Sequence, residues 1–277
     1  MAGYGLYGIL GSLGSRLAER IDILMLATLS TLDNTGIYVI PLFISNVIDI
    51  PRKAIARITS PVVAEKWKDN KIAEIEDLYK KTSLNQLIVG LWVLLGIWLS
   101  IDDLFSIIPR GETYALGKYV VLILGTARVI DMMTGVNSEI IGYSKYFKFN
   151  FYMILCLAVF NVGINYILIP KFDYNGAALA TLASMTIFNL MKFIVLKWKL
   201  NMQPFTWQTF GVLGIGFVAY FVTAFYVPLT DWVLVNMAIK SILVTLIFFG
   251  GIFYFKLSDE LLALLKNGLE TVKNKLN

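Results

Sequence analysis

Apolar residues gather along this chain into long runs without charge, and most charged positions cluster between them. Residues 82–101, 149–170, 174–191 and 200–230 contain no Asp, Glu, Lys or Arg, and 232–255 contains only Lys240. A helix needs about 20 predominantly apolar residues to cross a bilayer core, so each run predicts a span. Three further stretches are apolar but carry charge. The pattern predicts an all-α integral membrane protein. Its transmembrane lobe, 1–257, has eight transmembrane helices at about 5–32, 35–62, 84–105, 116–141, 149–169, 174–196, 206–228 and 232–255. The segment 64–83 mixes charge with Trp67, Ile72, Ile75, Leu78 and Tyr79, and reads as amphipathic on the inner membrane surface. So does a cytoplasmic tail helix at 258–277, with Leu261, Leu262, Leu265, Leu269 and Val272 at helical spacing and Ser258 as N-cap.

Composition agrees: 57% of the 277 residues are hydrophobic and 16% charged, against roughly 25% charged in soluble domains. The chain has no His and one Cys, which excludes His-based catalysis, His metal sites and an internal disulfide. A Walker A loop is missing: between Gly111 and Gly117 lie five residues, and no Ser or Thr follows Lys118. Nothing in the sequence argues for an enzyme, a metal or a cofactor, a coupling ion of unknown identity aside.

The net charge is +5 and the isoelectric point about 9.1. With eight spans both ends lie on one side. On that side fall Lys66, Lys68, Lys71, Lys80, Lys81, Lys145, Lys148, Lys197, Lys199, Lys256, Lys266, Lys273 and Lys275, against Arg110, Lys118 and Lys171 on the other. Basic loops stay in the cytoplasm. The bias predicts a multi-pass membrane protein with both termini cytoplasmic, and it makes the basic isoelectric point a matter of topology rather than of nucleic-acid binding. The first residues lack a basic n-region and a cleavage signature, so the first helix reads as a retained span.

Charges inside the predicted spans carry the chemistry. The first span holds Arg16, Glu19, Arg20 and Asp22; the second holds Asp49, Arg52, Lys53 and Arg57; the fourth holds Arg128, Asp131 and Glu139. Most recur three or four apart, which puts them on shared helix faces. A charge at the bilayer centre is costly unless paired or wet, so three such stripes predict helices facing one another across a polar cavity. Two blander readings stand beside this: Lys53 and Arg57 can snorkel to the interface, and internal ion pairs can serve as structural glue. Six basic residues against five acidic suit an anionic, phosphate-bearing substrate, with Arg16, Arg20, Arg52 and Arg128 as its contacts. Gly8, Gly11 and Gly14 soften the first span, and Pro51 predicts a kink beside Arg52. Gly176, Ala180 and Ser184 form a small-residue packing face, while Asn161 and Asn165 either cross-link helices or line the cavity.

The string Asn165-Tyr-Ile-Leu-Ile-Pro170-Lys-Phe-Asp-Tyr-Asn175-Gly176-Ala177-Ala178-Leu-Ala180-Thr181 resembles a stretch of bacterial oligosaccharide flippases. These form the polysaccharide-biosynthesis branch of the superfamily that includes drug/cation antiporters and the lipid II flippase. Arg20-Ile21-Asp22, Gly36-Ile37-Tyr38 and Ser60-Pro61 are similar to positions in that family's seventh and eighth helices. The resemblance implies fourteen helices in two lobes around a central cavity, of which this chain is the C-terminal lobe. An N-terminal lobe would be a missing partner, the chain being a fragment, a split gene or a half-length protein. It further implies export of a lipid-linked anionic oligosaccharide by alternating access, with membrane lipid around the lobe and an ion gradient or membrane potential as energy source. Two other readings remain. In a multidrug or cation antiporter half, Asp22, Asp49 and Asp131 would act. In a non-transporting scaffold of a glycan-assembly complex, the charged stripes would pair off. A multi-span glycosyltransferase would need a large outer loop, and the predicted outer loops are short.

Overall fold

The computed structural model describes residues 21–226 and 230–263. Among these residues the fold is helical throughout. The helices are α1 (described over 21–29), α2 (Leu32–Asn46), α3 (Ile50–Lys68), α4 (Ile72–Leu99), α5 (Ile101–Ile107) and α6 (Gly111–Ala115). They continue with α7 (Lys118–Met132), α8 (Asn137–Tyr143), α9 (Phe147–Leu200), α10 (Trp207–Tyr226), α11 (Val233–Tyr254) and α12 (described over 259–263).

Four of these, α4, α9, α10 and α11, are long and apolar enough to cross a membrane; α7 with α8, bent by 46° at their junction, makes a fifth. This is the architecture of an all-α, multi-pass membrane protein. The predicted count of eight is not reached among the described residues. The span at 5–32 lies mostly outside them, and the one at 35–62 is broken into α2 and α3 by a 3₁₀ turn over Val47–Asp49.

One long element is itself two limbs. Asp173 interrupts α9 with φ 48° and ψ −128°. Asn165 and Thr181 both bond to Asp22, although 16 residues of straight helix would hold them about 24 Å apart. The chain therefore reverses at Asp173, giving limbs 147–172 and 174–200 that correspond to the spans expected at 149–169 and 174–196. Gly176 permits the turn: a Cβ there would stand 2.2 Å from the Leu168 carbonyl oxygen. Ser30 Oγ, between α1 and α2, donates to Asp173 Oδ1 at 2.8 Å and fastens the hairpin tip.

The segment expected at 64–83 is not one separate helix. It is the end of α3, a turn at Asn70 with φ 56°, and the first turns of α4. Ile75 and Tyr79 are fully buried, packed with Val63, Ile140, Ile141, Met153 and Leu196. The charges on these turns mark a helix that starts 12 residues before its predicted boundary, and its apolar stripe faces α3 and α8 rather than lipid. Ser258 caps α12 as expected, accepting the Leu261 N–H at 3.3 Å while donating to Asn85 Oδ1 at 2.8 Å; the remainder of the predicted tail helix lies outside the described residues.

Apolar layers close the bundle at both ends. Leu26, Tyr38, Val120, Leu124 and Ile169 pack near the hairpin tip. The cluster around Val63 and Tyr79 packs at the opposite end. Along one side, α4 meets α10 and α11 through Leu87, Ile88, Val212, Ala219, Val244 and Phe248. Large apolar side chains such as Phe217, Val218, Leu234 and Leu246 stay exposed on α10 and α11, as lipid-facing surfaces require. Polar groups lie between the two end layers.

Candidate functional site

Two broken helices meet in the polar layer. The first break follows Asn46. Pro51 has no N–H to continue an α-helical ladder, and the chain tightens into Val47–Asp49 before α3 starts with Pro51 in its first turn. Asp49, at the break, is 1% exposed. Arg52 Nε lies 2.5 Å from Asp49 Oδ1 and 3.2 Å from Asp131 Oδ2. Lys53 Nζ lies 2.9 Å from Asp49 Oδ2.

The second break, between α7 and α8, follows Asp131. Gly135 adopts φ 58°, and a Cβ there would stand 2.9 Å from the Ser83 backbone nitrogen of α4. Only glycine suits both conditions. Side chains satisfy the carbonyls freed by the break, as an apolar interior demands. Ser83 Oγ donates to the Met133 carbonyl at 2.6 Å, and Thr134 Oγ1 lies 2.7 Å from the Asp131 carbonyl.

The second limb of α9 completes the network. Asn189 Nδ2 donates to Asp131 Oδ1 at 2.9 Å, and Asn189 Oδ1 accepts from Asn137 Nδ2 at 3.2 Å. Lys192 is 2% exposed. Its Nζ donates to Ser138 Oγ at 2.9 Å and Asn137 Oδ1 at 3.3 Å in the first turn of α8, and lies 3.8 Å from the centroid of the Phe188 ring. Arg128 Nη2 donates to Asn46 Oδ1 at 2.9 Å, linking α7 to the last residue of α2. Arg52 and Arg128 thus link the two breaks to each other, and Asn189 spans the second.

Asp22 belongs to a second cluster nearer the hairpin tip. It is 5% exposed. It accepts from Asn165 Nδ2 at 3.1 Å, from Tyr38 Oη at 3.4 Å, and from Thr181 Oγ1 over a short contact. Asn165 Nδ2 also donates to Asn161 Oδ1 at 2.9 Å. Among the described residues, then, a buried carboxylate is held by neutral donors alone, supplied from α2 and both limbs of α9.

The chain is 20% identical over 184 residues to the probable low-salt glycan biosynthesis flippase Agl15 of Haloferax volcanii, a match covering 66% of this chain and 39% of that protein. The chain therefore spans about two fifths of the length of the curated relative it matches. No family model matches the chain, and no solved structure does. At this identity and coverage the likeness is a resemblance to a flippase and does not assign the chain to a family.

The residues expected to line one cavity divide between these clusters. Asp49, Arg52, Lys53, Arg128 and Asp131 come together at the breaks. Glu139, half-buried on α8, makes no ion pair among the described residues but lies within electrostatic reach of Lys192, Arg52 and Asp131. Arg57 is exposed, away from the network. Asp22 stands in the separate hairpin cluster. Arg16, Glu19, Arg20, Gly8, Gly11 and Gly14 lie outside the described residues. Gly176, Ala180 and Ser184 are buried, Gly176 against its own hairpin partner limb. Asn161 and Asn165 cross-link helices.

The expectation missed Lys192 and the neutral groups Asn46, Tyr38, Asn137, Ser138, Thr181 and Asn189. Lys192 falls directly after the charge-free run 174–191, and the predicted span 174–196 already contained it. That position was the available signal. The neutral residues carry none in a scan for charge.

Proposed function

We propose that the chain is one lobe of a transporter that moves a lipid-linked glycan across the membrane by alternating access. Two adjacent helices broken within the polar layer, with Asp49, Arg52 and Asp131 bonded across the breaks, carry this reading. Broken helices with polar groups at mid-bundle are how many transporters form a site and hinge around it. The flippase likeness supplies the cargo class. In this reading Arg128 is the anion contact rather than Arg52. Arg52 is occupied by two carboxylates, whereas Arg128 forms no contact ion pair among the described residues and its guanidinium bonds a neutral amide. Its planar fork suits a phosphate. An ion gradient or membrane potential would supply the energy.

The test is export by the complete transporter. Arg128→Gln is expected to abolish glycan export with membrane insertion unchanged, and full export by that variant overturns the assignment.

The saturation of Arg52 favours a second reading, a non-transporting scaffold in which the intramembrane charges pair off as glue. A cysteine pair placed across the two breaks separates the readings. Oxidative cross-linking there blocks a transporter and leaves a scaffold's glycan assembly intact.

A further inference from the structure

A groove of about 590 Å³ lies at the end of the bundle opposite the hairpin tip. Three chain segments meet around it: the α3–α4 turn with Trp67, Lys68, Asn70 and Ile72, the α8–α9 turn with Tyr143 and Lys145, and Leu200 at the end of α9. We propose that this groove binds the headgroup of an anionic phospholipid from the surrounding leaflet, distinct from any transported cargo.

The chemistry of the lining is that of a phosphate on an apolar stem. Lys68 and Lys145 come from two different turns, and both are exposed. Neither forms an ion pair among the described residues, while the neighbouring Lys66 is taken by Glu74 and Lys71 lies within 3.9 Å of Asp69 and Glu74. Two ammonium groups without an ion pair, Lys145 lying 5.3 Å from the centroid of the Tyr146 ring, leave a local positive field at one groove that an anionic headgroup neutralises. Trp67 turns its ring N–H away, donating to the Ile140 carbonyl at 3.1 Å, and so offers the groove an apolar ring. The Tyr143 hydroxyl is 2.9 Å from Ser60 Oγ. Tryptophan and tyrosine at helix ends are the side chains that suit the headgroup level of a bilayer.

The position separates this groove from the polar network. Trp67, Ile72 and Leu200 pack on the buried layer of Val63, Ile75, Ile140, Ile141 and Leu196. Along α9, Leu196 lies one turn beyond Lys192 and Leu200 one turn further; on α8, Ile141 lies between Asn137 and the turn that carries Lys145. A headgroup seated here rests against the apolar layer, one to two turns from the breaks. It would hold the ends of α3, α8 and α9 together, and those helices carry Arg52, Asn137 and Lys192.

The test uses the full chain, purified in detergent and examined by native mass spectrometry with added phosphatidylglycerol or phosphatidylcholine. The expected result is retention of phosphatidylglycerol over phosphatidylcholine, and an affinity loss of at least tenfold in Lys68→Gln/Lys145→Gln. Lys197→Gln/Lys199→Gln, which removes two exposed lysines outside the groove lining, is expected to retain the parent affinity. All four positions are exposed, so both double variants should melt with the parent. Equal retention of the two lipids, or equal loss in the two double variants, overturns the proposal. Displacement of the lipid by millimolar inorganic phosphate also overturns it, because the groove would then be a site for a soluble anion. Failure of the Arg128 export test leaves this result untouched, since the readout is lipid binding.

Discussion

Removing the Arg52 side chain tests whether the network at the breaks is held by charge. Arg52→Ala takes one guanidinium from between two buried carboxylates, at 2.5 Å from Asp49 and 3.2 Å from Asp131. Unit charges about 4 Å apart attract by about 4 kcal/mol at the effective dielectric near a protein surface. Desolvation offsets much of that when the pair forms, but deleting one partner restores none of it to the carboxylates left behind. Breaking a buried pair this way costs about 3–5 kcal/mol. Two observations place Arg52 near the lower value. Its side chain is 28% exposed, and each carboxylate keeps another partner, Lys53 for Asp49 and Asn189 for Asp131, both at 2.9 Å. We therefore expect a loss of about 3 kcal/mol in unfolding of the purified chain in mixed micelles, followed by far-ultraviolet circular dichroism against rising SDS fraction. The triple variant Asp49→Asn/Arg52→Gln/Asp131→Asn removes the stranded charges with their partner and should recover most of the loss. Arg57→Ala, at an exposed position, should fall within about 0.5 kcal/mol of the parent. A loss under about 1 kcal/mol for Arg52→Ala, or a triple variant no more stable than the single, refutes the assignment of Arg52 as the bridge.

Three more outcomes follow from the geometry. Gly176→Leu places a side chain where even a Cβ meets the Leu168 carbonyl at 2.2 Å; backbone cannot yield cheaply, so the α9 hairpin should open, read as loss of a disulfide engineered between its limbs. Gly135→Val combines φ 58° with a 2.9 Å approach to Ser83 nitrogen and should destabilise the chain by more than about 2 kcal/mol in the same micelle titration. Asp22→Ala leaves the Thr181 hydroxyl and one contact each of Tyr38 and Asn165 without their acceptor, at about 1–3 kcal/mol for a buried unsatisfied group. Adding Thr181→Val to Asp22→Ala should then change stability little, and additive losses would show that the two do not act together.

The spans that lie against lipid were legible because lipid imposes a single rule. Runs without charge located both limbs of α9 and most of α10 and α11 to within a few residues, and the reversal at Asp173 falls in the gap expected between 169 and 174. Where helices meet protein instead of lipid, that rule fails. The first turns of α4 carry Glu74, Glu76, Asp77, Lys80 and Lys81 on one side and bury Ile75 and Tyr79 on the other, so a charge scan reads them as surface. Pro51 announced the first break, since a missing donor is visible in sequence. Gly135 did not announce the second. Glycine is common in membrane helices, and only the approach of Ser83 on a helix distant in sequence shows why this one is required.

The same distinction decides which charges speak of transport. A helix broken in an apolar interior exposes carbonyls and amides that polar side chains must meet, and Ser83 and Thr134 meet two of the carbonyls here without any charge. Asp49, Arg52 and Asp131 satisfy one another in turn. Stability alone therefore accounts for these residues, and their presence inside the membrane does not separate a carrier from a scaffold. Arg128 is different. Its hydrogen bond to Asn46 is one that Gln or Lys at the same position could also make, yet the chain places there a guanidinium, always charged, on a partly buried residue of the polar layer. That charge also lies within electrostatic reach of the buried Asp49 and Asp131 carboxylates, so export by Arg128→Gln, with insertion unchanged, is the measurement that separates an anion contact from a structural charge. Arg128 is thus an arginine of the polar layer that no contact ion pair occupies among the described residues, which is why it, rather than Arg52, suits an arriving anion.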